Sequence, residues 1–421
     1  MKKGFILMVL LAIVLTTSFI VMGCGGGATT TAPATTTAPA TTTVLPPIKI
    51  GHIVDLTGPE AMVGQIFSSS LQFAFDSLNN QVAGRKIQII IGDAQGSATG
   101  ATDVARKMVE QDKVAAIFGP TQTMEKLAVA NYLQSAGVPL LLYNLTPLDV
   151  FSPGSHNYNK WVIGVGGSDE MCGTVAGDYA FNQLHYKTID TITMDNDSGH
   201  ADMDPMMSYF TKAGGQVVQS QWVPVPCPDF SSYLTNLKPA DALVAWDAGS
   251  DAIALLTQFH DLGIDKKMHL FGVFHGGFLD SFIVDALPPA DAAATVGYAS
   301  VMMYSPDSQS DVNQAFVKAY TDKIGWPPGD DTASGPYQAA LVFIAAVNAT
   351  QGDTTPDTLL NAIIGTKPIG PEGVASFTAD MHCAAKDVQI VAVSLVAPDS
   401  YAYKTVYTYH SVPPSGYVSQ K

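Results

Sequence analysis

The chain has 421 residues, 47% of them hydrophobic, and a formal net charge of −16 from 37 acidic against 21 basic residues. That balance argues against nucleic acid and against anionic membrane surfaces as partners, and it is ordinary for an exported protein that handles solutes. One of the four cysteines lies near the amino terminus; Cys172, Cys227 and Cys383 remain, so at most one disulfide can form among them, and their spacing matches no zinc motif.

Met1–Cys24 reads as a targeting segment. Lys2 and Lys3 supply a positive start, Phe5–Val21 an apolar core, and Val21-Met22-Gly23-Cys24 the end. The small residue before Cys24 resembles a lipobox, which implies cleavage there and lipidation of the Cys24 thiol. The competing reading is a transmembrane anchor, for which the apolar run is marginal. Gly25 to about Pro47 is low complexity and repeats TTTAPA. Such a segment cannot bury a core and is expected to act as a tether. About 370 residues follow, room for two lobes.

From Ile48 the pattern alternates. IKIGHIV reads as a strand, Gly64–Asn80 as a helix, KIQIIIGD as a strand and Ala101–Gln111 as a helix. Val114–Thr146 then gives strand, turn, helix, strand, turn. Val114–Phe118 is a buried strand closed by Gly119-Pro120. Thr121 or Thr123 is placed to cap a helix whose Val129, Tyr132, Leu133 and Ala136 recur at i, i+3, i+4 and i+7. Gly137 stops it, and Val138–Tyr143 is a second buried strand. Hydroxyls and amides follow both strand ends, where open α/β sheets hold ligands.

Turn residues over Asp149–Lys160 interrupt the alternation. Trp161–Val165 reads as a crossing strand, and Gly166-Gly167 as a hinge. A second alternating set has helices over Glu170–His185, Pro205–Ala213, Ser231–Leu237 and Ser250–Leu262. Its strands are Thr188–Met194, Gln216–Val223, Ala242–Ala245 and His269–Val273. Val296–Met303 is expected to cross back. Helices at Asp311–Ile324 and Tyr337–Asn348 and strands at Val388–Val396 and Thr405–Tyr409 finish the chain. This alternation predicts an α/β fold of parallel sheets covered on both faces.

No catalytic constellation is present. There is no HExxH and no GxSxG, and Gly164-Val165-Gly166-Gly167 lacks the third glycine of a dinucleotide fingerprint. Asp195–Asp204 (DNDSGHADMD) fails the calcium-loop pattern, with Gly199 at its fifth position and His200 at its sixth, and reads as an acidic loop at a cleft mouth. Neither a metal nor a cofactor is expected, and an enzyme is not.

In this order, IKIGHIVDLTGPEAMVGQ, GRKIQIIIGDAQGSATGATDVARKMVEQDKVAAIFGP, GVPLLLYNLTP, PDFSSYLTNLKPADALVAWDAGSDAIALLTQFHDLG and FTADMHCAAKDVQIV resemble the solute-binding proteins of ABC transporters for branched-chain amino acids, the Leu/Ile/Val-binding type. The resemblance implies a type I periplasmic binding protein: two Rossmann-like lobes joined by three crossings, with ligand held between them. It divides the chain into 48–165 plus about 304–385 and 166–303 plus about 386–421. It implies a monomeric receptor, lipid-anchored outside the cytoplasm, that delivers a small molecule to an ABC permease and its ATPase. A ligand sensor of the same fold is the alternative.

By the same resemblance, the ligand carboxylate is received at Gln122, Thr123, Asn144 and Thr146. Positions where the family places cleft tyrosines fall on or near Val63, Gly199 beside His200, and Ala248. Phe274 and His275 stand where an acidic residue would hold an amino acid's ammonium. A buried charge without a partner is costly, so an ordinary branched-chain amino acid is disfavoured unless Asp247 takes that role. The expected ligand is an amino acid or a related small carboxylate or amide, with an aromatic one suiting Phe274, His275 and Trp246.

Overall fold

A computed structural model describes residues 45–418 except 59, 275–277, 280, 379 and 398–399. The leader with Cys24, nearly all of the tether, and His275 lie outside the described residues. Strand β1 (Ile48–Val54) leads to helix α1 (Ala61–Asp76). Then come β2 (Gln81–Val82), β3 (Arg85–Asp93), α2 (Ala98–Lys107), β4 (Ala116–Phe118), α3 (Thr123–Ala136), β5 (Leu140–Leu142) and β6 (Val162–Gly164). The next run is α4 (Asp169–Asp178), β7 (Thr188–Met194), α5 (Asp197–Ala213), β8 (Gln216–Val223), α6 (Ser231–Thr235), β9 (Ala242–Trp246), α7 (Gly249–Asp261), β10 (His269–Gly272), α8 (Ser281–Ala286), α9 (Pro289–Ala294) and β11 (Ala299–Met302). The chain closes with α10 (Asp311–Ile324), α11 (Asp331–Ala349), α12 (Pro356–Gly365), β12 (Ile369–Gly370), β13 (Gly373–Val374), β14 (Ser376–Phe377), β15 (Ala384–Ala397) and β16 (Ser400–Val412).

Two sheets result. The first has the order β2-β3-β1-β4-β5-β6 and the second β14-β15-β11-β10-β9-β7-β8, with β16 paired to β15. In the first, all pairs but β2–β3 are parallel. Its central strands β4 and β5 are apolar and buried at every position, as a sheet covered on both faces requires. One core, with Phe75, Phe118, Phe343 and Leu359, lies between that sheet and α1, α11 and α12. Another, with Met108, Val129, Leu133 and Leu140, lies under α2 and α3. The second sheet has its own continuous core, from Met171 and Phe210 to Phe259, Val301 and Tyr409.

The order reverses beside β1 in the first sheet and beside β7 in the second. The carboxyl ends of β1 and β4, and of β7 and β9, are therefore switch points, where a crevice opens above an α/β sheet. The polypeptide passes between the sheets after β6, after β11 and between β13 and β15, and these passages adjoin. The Gly164 N–H donates to His382 O at 2.7 Å. Gly167 has φ +101°, and a Cβ there would meet Met303 Cε at 3.0 Å and Lys386 Cδ at 3.5 Å. Lys386 forms a buried ion pair with Glu372.

Several expectations are corrected. The second sheet is mixed: β15 runs antiparallel to β11, and β14 and β16 run antiparallel to β15. Trp161–Val165 contains no isolated crossing strand, because β6 is the sixth strand of the first sheet, parallel to β5. Val296–Met303 likewise contains β11, a full strand of the second sheet. The acidic segment at Asp195–Asp204 is no loop. Asn196 caps a helix through the Gly199 N–H at 2.9 Å, and α5 runs from Asp197 straight through Pro205. A Cβ at position 199 would lie 2.0 Å from Met194 O, so glycine permits this tight start. Cys172, Cys227 and Cys383 are all free and buried.

Candidate functional site

The first wall of the crevice is the start of α3. Neither Thr121 nor Thr123 caps that helix. Gln122 does, in a reciprocal box with Glu125 whose carboxylate accepts from the Gln122 N–H at 3.2 Å. The Gln122 side chain also reaches across the switch point and donates to Asp55 Oδ2 at 3.1 Å, while the Gly96 N–H donates to Asp55 Oδ1 at 2.7 Å. The Asn144 amide donates to Thr121 O at 2.9 Å and leaves its own Oδ1 buried with no partner. The Thr146 hydroxyl donates to Asn144 O at 3.3 Å, and the Asp169 N–H donates to Thr146 O at 3.2 Å. Gln122, Asn144 and Thr146 thus form one bonded wall with Asp55 and Thr121.

The second wall follows β7 and β9. Asp247 follows the last residue of β9 and is buried; its Oδ1 accepts from the Ala248 N–H at 2.9 Å and its Oδ2 has no partner. Burial, partly offset by that N–H, raises its pKa to about 7. The Trp246 ring lies 6.2 Å from that of Phe274, and its indole N–H is buried without a partner. The walls meet where the Thr123 and Ser198 hydroxyls lie 3.1 Å apart, joining the starts of α3 and α5. Two predicted residues point elsewhere. Val63 packs on the first sheet's core. The exposed His200 stacks on Trp222 at 3.8 Å and faces Asp195 and Asp204.

Behind the first wall lies a charge cluster that sequence reading missed. Lys126 is buried, and its Nζ donates to Leu145 O at 2.5 Å. Desolvation lowers its pKa to about 8, against the pull of Asp169 and Asp202. Burial pushes the Asp169 and Asp202 carboxyls up, and each has one buried oxygen without a partner. Burial also raises Glu125 to about 8, with the Gln122 N–H opposing. A signal for Lys126 was present: with Val129, Ala130 and Leu133 it falls at i, i+3, i+4 and i+7, on the buried face of α3.

A family model described as periplasmic binding protein matches residues 47–398. The chain belongs to this family. It is a solute-binding receptor of the ABC-transporter kind, acting outside the cytoplasm on a small-molecule ligand. Among its relatives is a Leu/Ile/Val-binding protein homolog of Brucella melitensis, 21% identical over 86% of this chain and 91% of that protein. Among solved structures, an ABC transporter substrate-binding protein from Sphaerobacter thermophilus is 25% identical with a TM-score of 0.79, over 87% of this chain and 98% of its own. A solute-binding protein from Rhodopseudomonas palustris, in complex with 3,4-dihydroxybenzoic acid, has a TM-score of 0.77 at 24% identity, over 87% and 98%. This periplasmic binding protein carries no helix, among its described residues, long and apolar enough to cross a membrane.

Proposed function

We propose that this periplasmic binding protein captures, without turnover, a small carboxylate that also carries a hydrogen-bond donor, and passes it to an ABC permease driven by an ATPase. The observation that carries this reading is a set of buried polar atoms left without partners on both walls: Asn144 Oδ1 and Glu125 Oε1 on one, Asp247 Oδ2 and the Trp246 N–H on the other. Native structures satisfy nearly all such atoms, and desolvating them unpaired is costly. A ligand with both acceptors and donors relieves the cost: the Trp246 N–H and Glu125, protonated below its pKa of about 8, donate to it, whereas Asn144 Oδ1 and Asp247 Oδ2 accept from it. Its carboxylate faces Gln122, Thr123 and the free N–H groups at the start of α3. Its ammonium or hydroxyl donates to Asp247. The Trp246–Phe274 pair offers an aromatic surface for the rest.

Two related proteins support the two ends of this range: one is named for leucine, isoleucine and valine, and one was solved with a dihydroxybenzoic acid. The lobes work as 48–165 with 304–385 and 166–303 with 386–421. Cys24 carries the lipid that holds the monomer at the membrane, after removal of the signal peptide. A thermal-shift screen of the purified chain tests the ligand class with L-leucine, L-phenylalanine, benzoate, 4-hydroxybenzoate and 3,4-dihydroxybenzoate. Ligand at 100 times its Kd stabilises by about 2.7 kcal/mol. Stabilisation by a compound carrying both a carboxylate and a donor supports the reading. Stabilisation by benzoate equal to that by its hydroxylated forms removes the donor requirement.

A further inference from the structure

A second charged cluster lies on the second lobe, away from the crevice. Helix α7 begins beside Ala248, and His260 is about 16 Å further along it at the usual helical rise. There the imidazole meets the carboxylates of Asp291 and Asp265, with Asp261 next to it in the chain. His260 Nδ1 is 2.6 Å from Asp291 Oδ1, and Nε2 is 4.0 Å from Asp265 Oδ2. One donor atom each from His260, Asp261 and Asp291 lies within 4.8 Å of the other two. Asp291 is buried at the start of α9, and Asp265 Oδ1 is buried with no hydrogen-bond partner. Among the described residues, no lysine or arginine lies within ion-pair distance of these carboxylates, although Lys266 and Lys267 adjoin in sequence.

The charges do not balance. The one imidazole faces the carboxylates of Asp291 and Asp265, and a donor oxygen of Asp261 lies within 4.8 Å. Like charges held this close repel, and the unpartnered Asp265 oxygen adds a desolvation cost. A divalent cation answers both. One imidazole nitrogen with carboxylate oxygens is a borderline donor set that suits Zn2+ and its first-row neighbours better than Ca2+, which prefers six to eight oxygens. Zn2+ ligand distances run about 2.0–2.2 Å, and the three donor atoms already lie within 4.8 Å of one another, with Asp261 exposed.

We propose that His260, Asp261 and Asp291, with Asp265 beside them, form a Zn2+-class metal site that ties the end of α7 to α9. The site is independent of the ligand crevice. The test is calorimetric titration of the chelator-stripped full chain with ZnCl2, and with CaCl2 for comparison. The expected result is one Zn2+ per chain with micromolar or tighter Kd, at least tenfold weaker Ca2+ binding, and a raised Tm. Asp261→Ala, at an exposed position, and His260→Gln each weaken Zn2+ at least tenfold. Absence of saturable Zn2+ binding, or equal Zn2+ affinity in wild type and both variants, overturns the proposal.

Discussion

The Thr123 and Ser198 hydroxyls lie 3.1 Å apart, each at the first turn of a helix that follows a switch-point strand, one in each sheet. The contact joins the two walls of the crevice. A neutral hydrogen bond is worth about 0.5–1.5 kcal/mol net. Thr123→Val and Ser198→Ala are each expected to weaken ligand binding roughly 2- to 12-fold, and the double variant no further than the stronger single one. Calorimetric Kd values for the three variants check this. Full additivity contradicts it.

Asp247 is expected to trade stability for binding. Its carboxyl is buried at the end of β9 with one oxygen unsatisfied and a pKa of about 7. Asp247→Asn removes the cost of ionising it, so the ligand-free protein gains Tm while ligand binding weakens by about 1.5–3 kcal/mol, roughly 10- to 150-fold. Thermal melts and isotherms on the same preparation read both effects.

Lys126 is the cation facing Asp169 and Asp202. Its removal leaves buried carboxylates without compensation, so Lys126→Ala is expected to cost about 3–5 kcal/mol. Asp169→Asn introduced beside it recovers part of the loss, because it removes one of the stranded charges. Urea unfolding midpoints of the single and double variants, at unchanged slope, measure the coupling.

The pH dependence of stability runs opposite to that of a protein rich in surface ion pairs. Burial raises Glu125 and Glu170 to about 8 and Asp247 to about 7, against ordinary values of 4.5 and 3.8. The folded chain thus keeps protons that the unfolded chain releases near pH 4, and this stability is lost as pH rises through 7 and 8. His52, lowered to about 3 by burial, works the other way, and only below its unfolded value of 6.5. Lys126, lowered to about 8, changes stability only above that pH. The Tm of the ligand-free protein is therefore expected to fall between pH 6.5 and 8. A flat or rising profile contradicts these assignments.

The alternation from Ile48 made the layered α/β fold legible, because buried strands and one-sided helices differ in period. Periodicity carried less about strands whose partners are distant. β6 and β11 read as crossings because their neighbours in the sheet are set by pairing, not by local pattern. Helix α5 was cut short because Pro205 reads as a helix start, whereas Asn196 and the missing Cβ of Gly199 set the start eight residues earlier. In the crevice, polar residues after strand ends were visible, which drew attention to Gln122, Asn144 and Thr146. Asp55, Asp169 and Asp202 were not, since their surroundings come from residues distant in sequence: Gly96 and Gln122 at Asp55, Lys126 at Asp169 and Asp202. Lys126 was readable in principle, from its place on the apolar face of α3.

The most direct measurement is the binding isotherm of one donor-bearing carboxylate, 3,4-dihydroxybenzoate or L-leucine according to which stabilises the chain, on wild type and on Asp247→Asn in parallel. Saturable one-to-one binding to wild type and at least tenfold weaker binding to the variant is the predicted result. Equal affinity in the two proteins would contradict a ligand held between Asp247 and the start of α3.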